Sequence, residues 1–145
     1  MKYIDIDELI QKGDKIFDEG LFEKSLDIYQ AASSQINESN LDDDYVRALY
    51  VKVRYNLGTN FIKLKRFNEA ITVYEKTLNN VLKHKNQHEG TLHKLYYNLS
   101  YCHAMVDSYK LAHIYANRAH ILNPEDFTCL KLIEKISKML VSNCL

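Results

Sequence analysis

Glycine, proline and cysteine are scarce in this chain, and tryptophan is absent. Its 145 residues include four glycines, one proline and three cysteines. Because sheet proteins need many turn residues, this shortage of glycine and proline predicts an all-α fold. The cysteines are Cys102, Cys129 and Cys144, and no two of them have the CxxC spacing of a metal or redox site. We therefore interpret all three as reduced thiols.

A surplus of charge of either sign is also lacking. Lys and Arg total 19, as do Asp and Glu, so the formal net charge is zero. Nucleic-acid binding requires a basic surplus that displaces counterions from phosphates, so we predict no direct nucleic-acid partner. No apolar run approaches the roughly 18 residues of a membrane span, and no signal-peptide core opens the chain. These absences predict a cytoplasmic protein without a membrane partner.

The sequence does contain internal repetition, in the stretches 13–32, 58–77 and 100–119. Each stretch begins with a small residue, has an aromatic residue nine positions later and a second small residue three positions further on. Small residues at this spacing allow two consecutive helices to approach closely, and the aromatic residues fill the remaining space. The small residues are Gly13, Ser25, Gly58, Ala70, Ser100 and Ala112, and the aromatic residues are Phe22, Phe67 and Tyr109.

This pattern resembles the tetratricopeptide repeat (TPR), a 34-residue unit made of two antiparallel helices, A and B. The aligned positions place three repeats at about 6–39, 51–84 and 93–126. The resemblance implies a right-handed α-solenoid of three helix-turn-helix repeats. We expect a C-terminal capping helix at about 124–141 and a single TPR domain over residues 1–145.

Two helix starts are predicted from local sequence. The run Asp42, Asp43 and Asp44 should supply a cap and a negative first turn for the second A helix, because a carboxylate accepts hydrogen bonds from the first backbone N–H groups. Asn123 should cap the last helix, with Pro124 at its first position. Phe127 should then lie on the apolar stripe of that helix.

No catalytic motif is present, so we predict a chain that is not an enzyme and has no cofactor. His84, His88 and His93 are close in sequence, but we interpret them as solvated loop residues that no cysteine or carboxylate joins. We therefore predict no metal site. Cys102 and His103 are adjacent, but side chains of neighbouring helical residues point about 100° apart, which excludes a nucleophile pair there.

The TPR resemblance implies a concave groove lined by the A helices, in which a protein or peptide partner binds. One family position carries an amide in every repeat, at Gln11, Asn56 and Asn98. An amide both donates and accepts, so this row could hold a peptide backbone; alternatively, Asn56 and Asn98 could bond a neighbouring helix. The full set of predicted ligand-binding residues is Gln11, Asp14, Lys52, Tyr55, Asn56, Thr59, Lys63, Lys94, Tyr97, Asn98, Tyr101 and Met105.

The predicted groove is acidic in its first repeat and basic in the other two. This polarity would place the basic end of a peptide toward the first repeat. Relatives that bind acidic chaperone tails have Lys and Asn at two positions of their first repeat, where this chain has Ile10 and Asp14. Because Asp14 would repel a carboxylate, we do not expect this chain to bind such tails.

Three functions remain open at this stage. The first is a non-catalytic protein- or peptide-binding module. The second is a truncated or free-standing relative of bacterial peptide-pheromone-sensing regulators, which have similarly lengthened repeats and the Tyr-Asn-Leu-Gly sequence found here at 55–58. The third is a structural subunit that self-associates through its repeat ends, for example as a homodimer.

Overall fold

The structure of this protein, a computed structural model, describes residues 3–36, 41–84 and 88–143. All the regular secondary structure in these residues is helical. The all-α prediction is confirmed. Within those ranges, no helix combines the length and the apolar character needed to cross a membrane. Cys144 and parts of the predicted loops at 33–40 and 85–90 lie outside the described residues. The helices are α1 (Tyr3–Asp18), α2 (Phe22–Ser34), α3 (Asp44–Lys63), α4 (Phe67–Lys83), α5 (Glu89–Met105), α6 (Tyr109–Leu122) and α7 (Phe127–Asn143).

The chain forms two compact units, residues 1–73 and 74–145, whose boundary falls inside α4. In the first unit α1 packs on α2, and α2 packs on α3. In the second unit α6 packs on both α5 and α7. The A and B helices thus alternate as the repeat pattern predicts, and the predicted grouping of all of them into one domain stays a prediction.

The crossing of α1 and α2 is built from the predicted small residues. Ser25 Oγ donates a hydrogen bond to the carbonyl oxygen of Gly13 over 2.9 Å, and both residues are buried. The ring of Tyr29 covers Gly13 so closely that an added Cβ would lie 2.8 Å from Tyr29 Cε1. The second unit repeats the device, since Ser100 Oγ donates to the carbonyl oxygen of Ala112 over 2.7 Å.

A left-handed residue ends each A helix at the same repeat position. Gly20, Lys65 and Asp107 have φ angles of 80°, 60° and 63°. At each of them the N–H bonds the carbonyl three residues back, and the following N–H bonds the carbonyl five residues back. This is the Schellman motif, which satisfies the last carbonyls of a helix and turns the chain sharply. The three turns lie at the same position of the three predicted repeats, whose exact bounds stay a prediction.

The start of α3 agrees with its prediction. Asp43 precedes the helix, and its carboxylate accepts hydrogen bonds from the N–H groups of Tyr45 and Val46. The buried guanidinium of Arg47 reinforces this start by donating to Asp44 and to the carbonyl oxygen of Leu41.

The predicted start of the last helix is wrong by three residues. Residues 123–126 form a turn in which Asp126 N–H donates to the carbonyl oxygen of Asn123, and α7 begins at Phe127. The reason is a competing cap, because the Asp126 carboxylate accepts from Thr128 N–H over 3.0 Å. With this start, Phe127 is 73% exposed instead of lying on the apolar stripe, and Cys129 is buried.

Exchange of Lys65 for glycine should stabilise the protein. A side chain at φ 60° costs about 1–2 kcal/mol, and glycine removes this strain while adding a smaller loss of backbone entropy. We expect the free energy of unfolding to rise by about 0.5–1 kcal/mol in urea titrations. The matched control is Lys76→Gly on the exposed face of α4, which should lower stability by about 1 kcal/mol. An equal loss of stability in Lys65→Gly and Lys76→Gly would contradict the left-handed conformation assigned to Lys65.

Candidate functional site

A surface cavity of about 320 Å³ lies in the first unit, where side chains of α1, α2 and α3 converge. Helix α1 provides two acids and an aromatic ring, α2 provides a tyrosine, and α3 provides a tyrosine, an amide and a hydroxyl. None of the residues that line this cavity is basic. They are Asp14, Phe17, Asp18, Tyr29, Tyr55, Asn56 and Thr59.

The carboxylate of Asp14 is the common acceptor of this site. The Tyr29 hydroxyl donates to Asp14 Oδ1, and Asn56 Nδ2 donates to the same oxygen over a longer distance of 3.4 Å. Burial, followed by the hydrogen bond to Asp14, raises the pKa of Tyr29 well above its ordinary value. Tyr29 therefore keeps its proton at physiological pH and remains a donor. Because Tyr29 also covers Gly13, the helix crossing determines where the Asp14 carboxylate lies.

The composition of the cavity favours a cationic ligand. Asp14 is half-buried and Asp18 is exposed, and both present negative charge to the same space. The rings of Phe17 and Tyr55 line the same cavity, and aromatic faces attract cations. A partly enclosed site with negative charge attracts positively charged groups more strongly than a flat surface does.

The structure brings together four of the seven ligand-binding residues predicted in the first unit. Asp14, Tyr55, Asn56 and Thr59 line the cavity, and Thr59 Oγ1 donates to the carbonyl oxygen of Tyr55 over 3.1 Å. The other three are exposed and do not line it. They are Gln11, Lys52 and Lys63.

The predicted residues of the second unit are more dispersed. Asn98 Nδ2 donates to the Tyr74 hydroxyl over 3.3 Å, and Lys94 lines a separate cavity of about 440 Å³. Tyr97 and Tyr101 are half-buried, and Met105 is exposed. Asn56 and Asn98 thus both contact a neighbouring helix, which is the alternative that the sequence left open for the amide row.

No known family model matches the chain, and no curated protein matches it by sequence. Solved structures do resemble it. The C-terminal TPR-containing domain of a Plasmodium falciparum FK506-binding protein has a TM-score of 0.80 at 17% identity, covering 95% of this chain and 89% of that one. The first TPR of Spaghetti (RPAP3), bound to the HSP90 peptide SRMEEVD, has a TM-score of 0.73 at 20% identity, with 94% and 93% covered. The Arabidopsis OM64 TPR domain has a TM-score of 0.72 at 16% identity, with 92% and 94% covered.

The chain has the fold of a TPR domain. This confirms the resemblance read from the repeats, and it extends over nearly the whole chain. At these identities the likeness establishes the TPR fold alone.

One prediction about the histidines is wrong. His93 does not lie in a solvated loop but on α5, half-buried, with Nδ1 3.0 Å from the carbonyl oxygen of Ala119 and Nε2 3.0 Å from Asp126 Oδ2. A carboxylate and a cysteine, Cys129, do join it. Hydrogen bonds from Thr128, and then from His93, lower the pKa of Asp126. The sequence contained no signal of this cluster, because 33 residues separate His93 from Asp126.

The neighbouring pair Cys102 and His103 lacks the properties of a nucleophile and its base. Cys102 is fully buried, and burial raises the pKa of its thiol to about 12, so it is protonated at neutral pH. His103 stacks on Tyr115 with ring centroids 5.5 Å apart, and its Nε2 lies 3.5 Å from Glu75 Oε1. His103 therefore packs as a core residue of the TPR fold.

The Tyr29 hydroxyl should contribute more to stability than a chemically similar hydroxyl at the surface. In Tyr29→Phe the nearly inaccessible hydroxyl is removed and Asp14 loses its main donor, so we expect a loss of about 1–2 kcal/mol in chemical unfolding. Tyr45→Phe is the matched control, since Tyr45 OH also donates to an aspartate, Asp7, but at an exposed position. Tyr45→Phe should lower the free energy of unfolding by less than about 0.5 kcal/mol. Similar losses would mean that Asp14 is not held through Tyr29.

Proposed function

We propose that this chain is a non-catalytic protein-binding module whose A helices α1, α3 and α5 carry the binding surface. The single observation that supports this most is the cavity of the first unit, which contains two acids and three aromatic rings and is open to solvent. The TPR fold adds support, because a structural neighbour with this fold is bound to a peptide. The absence of enzymatic activity and the cytoplasmic location stay predictions.

The ligand group that best fits the cavity is the basic side chain of an extended peptide. An ammonium or guanidinium group would interact with Asp14 and Asp18, while its aliphatic stem would lie along the aromatic rings. An acidic tail such as SRMEEVD, the peptide bound by the RPAP3 domain, would instead place carboxylates against carboxylates. The negative charge of the pocket thus favours basic peptides, whereas the RPAP3 domain is bound to an acidic one.

The peptide backbone would be held by amides that also have intramolecular contacts. Asn56 bonds Asp14 through one N–H of its Nδ2 group, and an amide offers two donors and two acceptor positions. In the second unit, taken by itself, α5 carries Asn98, Tyr97 and Lys94, which offer the same kinds of polar group to a peptide. Lys94 is exposed and would interact with an acidic residue of the peptide.

The decisive experiment measures which peptides bind and whether the two acids select them. A library of labelled heptapeptides, each with one Lys or Arg in a neutral background, is compared with the same peptides carrying Glu and with SRMEEVD. We expect saturable binding of the basic peptides by fluorescence anisotropy. Because Asp14→Asn with Asp18→Asn removes both charges and preserves side-chain volume, it should weaken binding at least tenfold.

The control for this experiment is the double variant Asp5→Asn with Asp27→Asn. It changes the net charge by the same amount at exposed positions of the same unit that do not line the cavity. Binding should change less than twofold in the control. Equal weakening in both double variants would reduce the effect to general electrostatics, and preference for the acidic peptides would contradict the proposed ligand class.

Self-association is a second candidate function, favoured by exposed apolar side chains in the second unit. Ile121 and Phe127 are 75% and 73% exposed, and Val141 near the end of α7 is also exposed. We expect sedimentation equilibrium to show a dimer that Ile121→Lys with Phe127→Lys converts to a monomer. The control Leu21→Lys, at an exposed position of the first unit, should leave the dimer intact. A monomeric wild type at all concentrations would exclude this candidate.

Kinship with peptide-pheromone-sensing regulators stays a prediction.

A further inference from the structure

We propose that His93, Asp126 and Cys129 form a binding site for a transition-metal ion of the Zn²⁺ class. The three side chains come from two helices and the turn between α6 and α7, and they meet inside the second unit. One imidazole nitrogen, one carboxylate oxygen and one sulfur lie within 4.8 Å of one another. This nitrogen, oxygen and sulfur donor set is one that zinc commonly uses, and magnesium and calcium prefer oxygen alone.

The spacing of the ligand atoms suits a tetrahedral ion. Zinc bonds of about 2.0 Å to nitrogen and oxygen and about 2.3 Å to sulfur place ligand atoms about 3.3–3.6 Å apart in a tetrahedron. His93 Nε2 and Asp126 Oδ2 are 3.0 Å apart, so they need to separate by only a few tenths of an ångström. The sulfur of Cys129 lies within 4.8 Å of one possible ligand atom on each of the other two side chains and has to approach by little more than about 1 Å.

The orientation of His93 suits either a proton or a metal ion between its Nε2 and Asp126. Nδ1 lies 3.0 Å from the carbonyl oxygen of Ala119, which can only accept, so the ring hydrogen of neutral His93 belongs on Nδ1. The lone pair of Nε2 then points at the carboxylate oxygen of Asp126, which is a repulsive contact unless a proton or a metal ion lies between them. A second ring nitrogen bonded to a backbone carbonyl is also the usual outer contact of a metal-binding histidine.

Burial and access both agree with this assignment. Cys129 is fully buried and is not in a disulfide, so its sulfur is protected while it faces the other two ligands. His93 also lines a cavity of about 440 Å³ together with Gly90, Lys94, Leu122 and Asn123, so the histidine is accessible from this side of the unit. Three protein ligands leave one position of a tetrahedron for water or for a ligand from a partner.

Such an ion would link the beginning of α5 to the beginning of α7. His93 lies in the first turns of α5, Asp126 caps α7, and Cys129 lies in the first turn of α7. The ion would replace a hydrogen bond between His93 and Asp126 with coordination bonds to all three side chains. Its site lies wholly in the second unit and is independent of the proposed peptide pocket.

To test the site, the full chain is treated with a chelator and then titrated with Co²⁺ and Zn²⁺. We expect one Co²⁺ per chain with a thiolate-to-cobalt charge-transfer band in the near ultraviolet, full displacement by Zn²⁺, and a higher melting temperature with Zn²⁺. In Cys129→Ser the charge-transfer band should disappear and affinity should fall at least tenfold. His93→Gln and Asp126→Asn should also lower affinity at least tenfold while keeping the band.

The matched controls are Cys102→Ser, at a second fully buried cysteine, Cys144→Ser and His84→Gln. These three variants should bind as the wild type does, and circular dichroism establishes that each variant is folded. If Cys129→Ser does not fold, Cys129→Ala replaces it. A charge-transfer band that survives loss of Cys129 but not of Cys102 or Cys144 would overturn the proposal. So would a folded wild type without saturable binding of either metal, in which case His93 and Asp126 form an ion pair only.

Discussion

The close approach of α1 and α2 at Gly13 is the constraint on which the first unit depends. A residue with a side chain at this position would meet the Tyr29 ring, and without Ser25 the Gly13 carbonyl would lose a buried donor. Because Tyr29 lies directly over Gly13, its hydroxyl reaches the next residue of α1, Asp14. One helix contact therefore connects the packing of the fold to the charge that the cavity presents.

The second unit uses the same device and adds a stripe of alanines. Ala112 and Ala116 of α6 are fully buried against Ile136 of α7, with Leu132 and Ile133 packed around them. Small side chains on the central helix allow close packing of α6 and α7. This packing brings the beginning of α7 to the place where Asp126 meets His93. In both units, polar chemistry is positioned by apolar contacts between neighbouring helices.

Features set by near neighbours in the sequence could be predicted, and features set by distant residues could not. The two small residues of each pair are 12 positions apart, and Asp43 accepts hydrogen bonds from the residues two and three positions later. Local sequence patterns therefore indicate both the helix pairs and the cap. The sequence predicts a cap at Asn123, whereas the observed cap of α7 is Asp126, three residues further on. The cluster of His93, Asp126 and Cys129 depends on how α5, α6 and α7 pack together. The spacing of these residues along the sequence does not indicate that packing. In the pocket, Asp14 was among the predicted ligand-binding residues and Tyr29 was not, because the contact of Tyr29 with Asp14 is tertiary.

The three left-handed turns at Gly20, Lys65 and Asp107 have a consequence for how this chain folds. Each turn is completed by its own backbone hydrogen bonds. The turns at Gly20 and Asp107 join helices that touch about a dozen residues apart along the chain. Contacts of such short range cost little chain entropy to form, so low contact order favours rapid folding. A helical hairpin of this kind is also a natural cooperative unit for partial opening. Amide exchange should therefore reveal blocks of protection that begin and end near these turns, rather than a single unfolding event that releases every amide together.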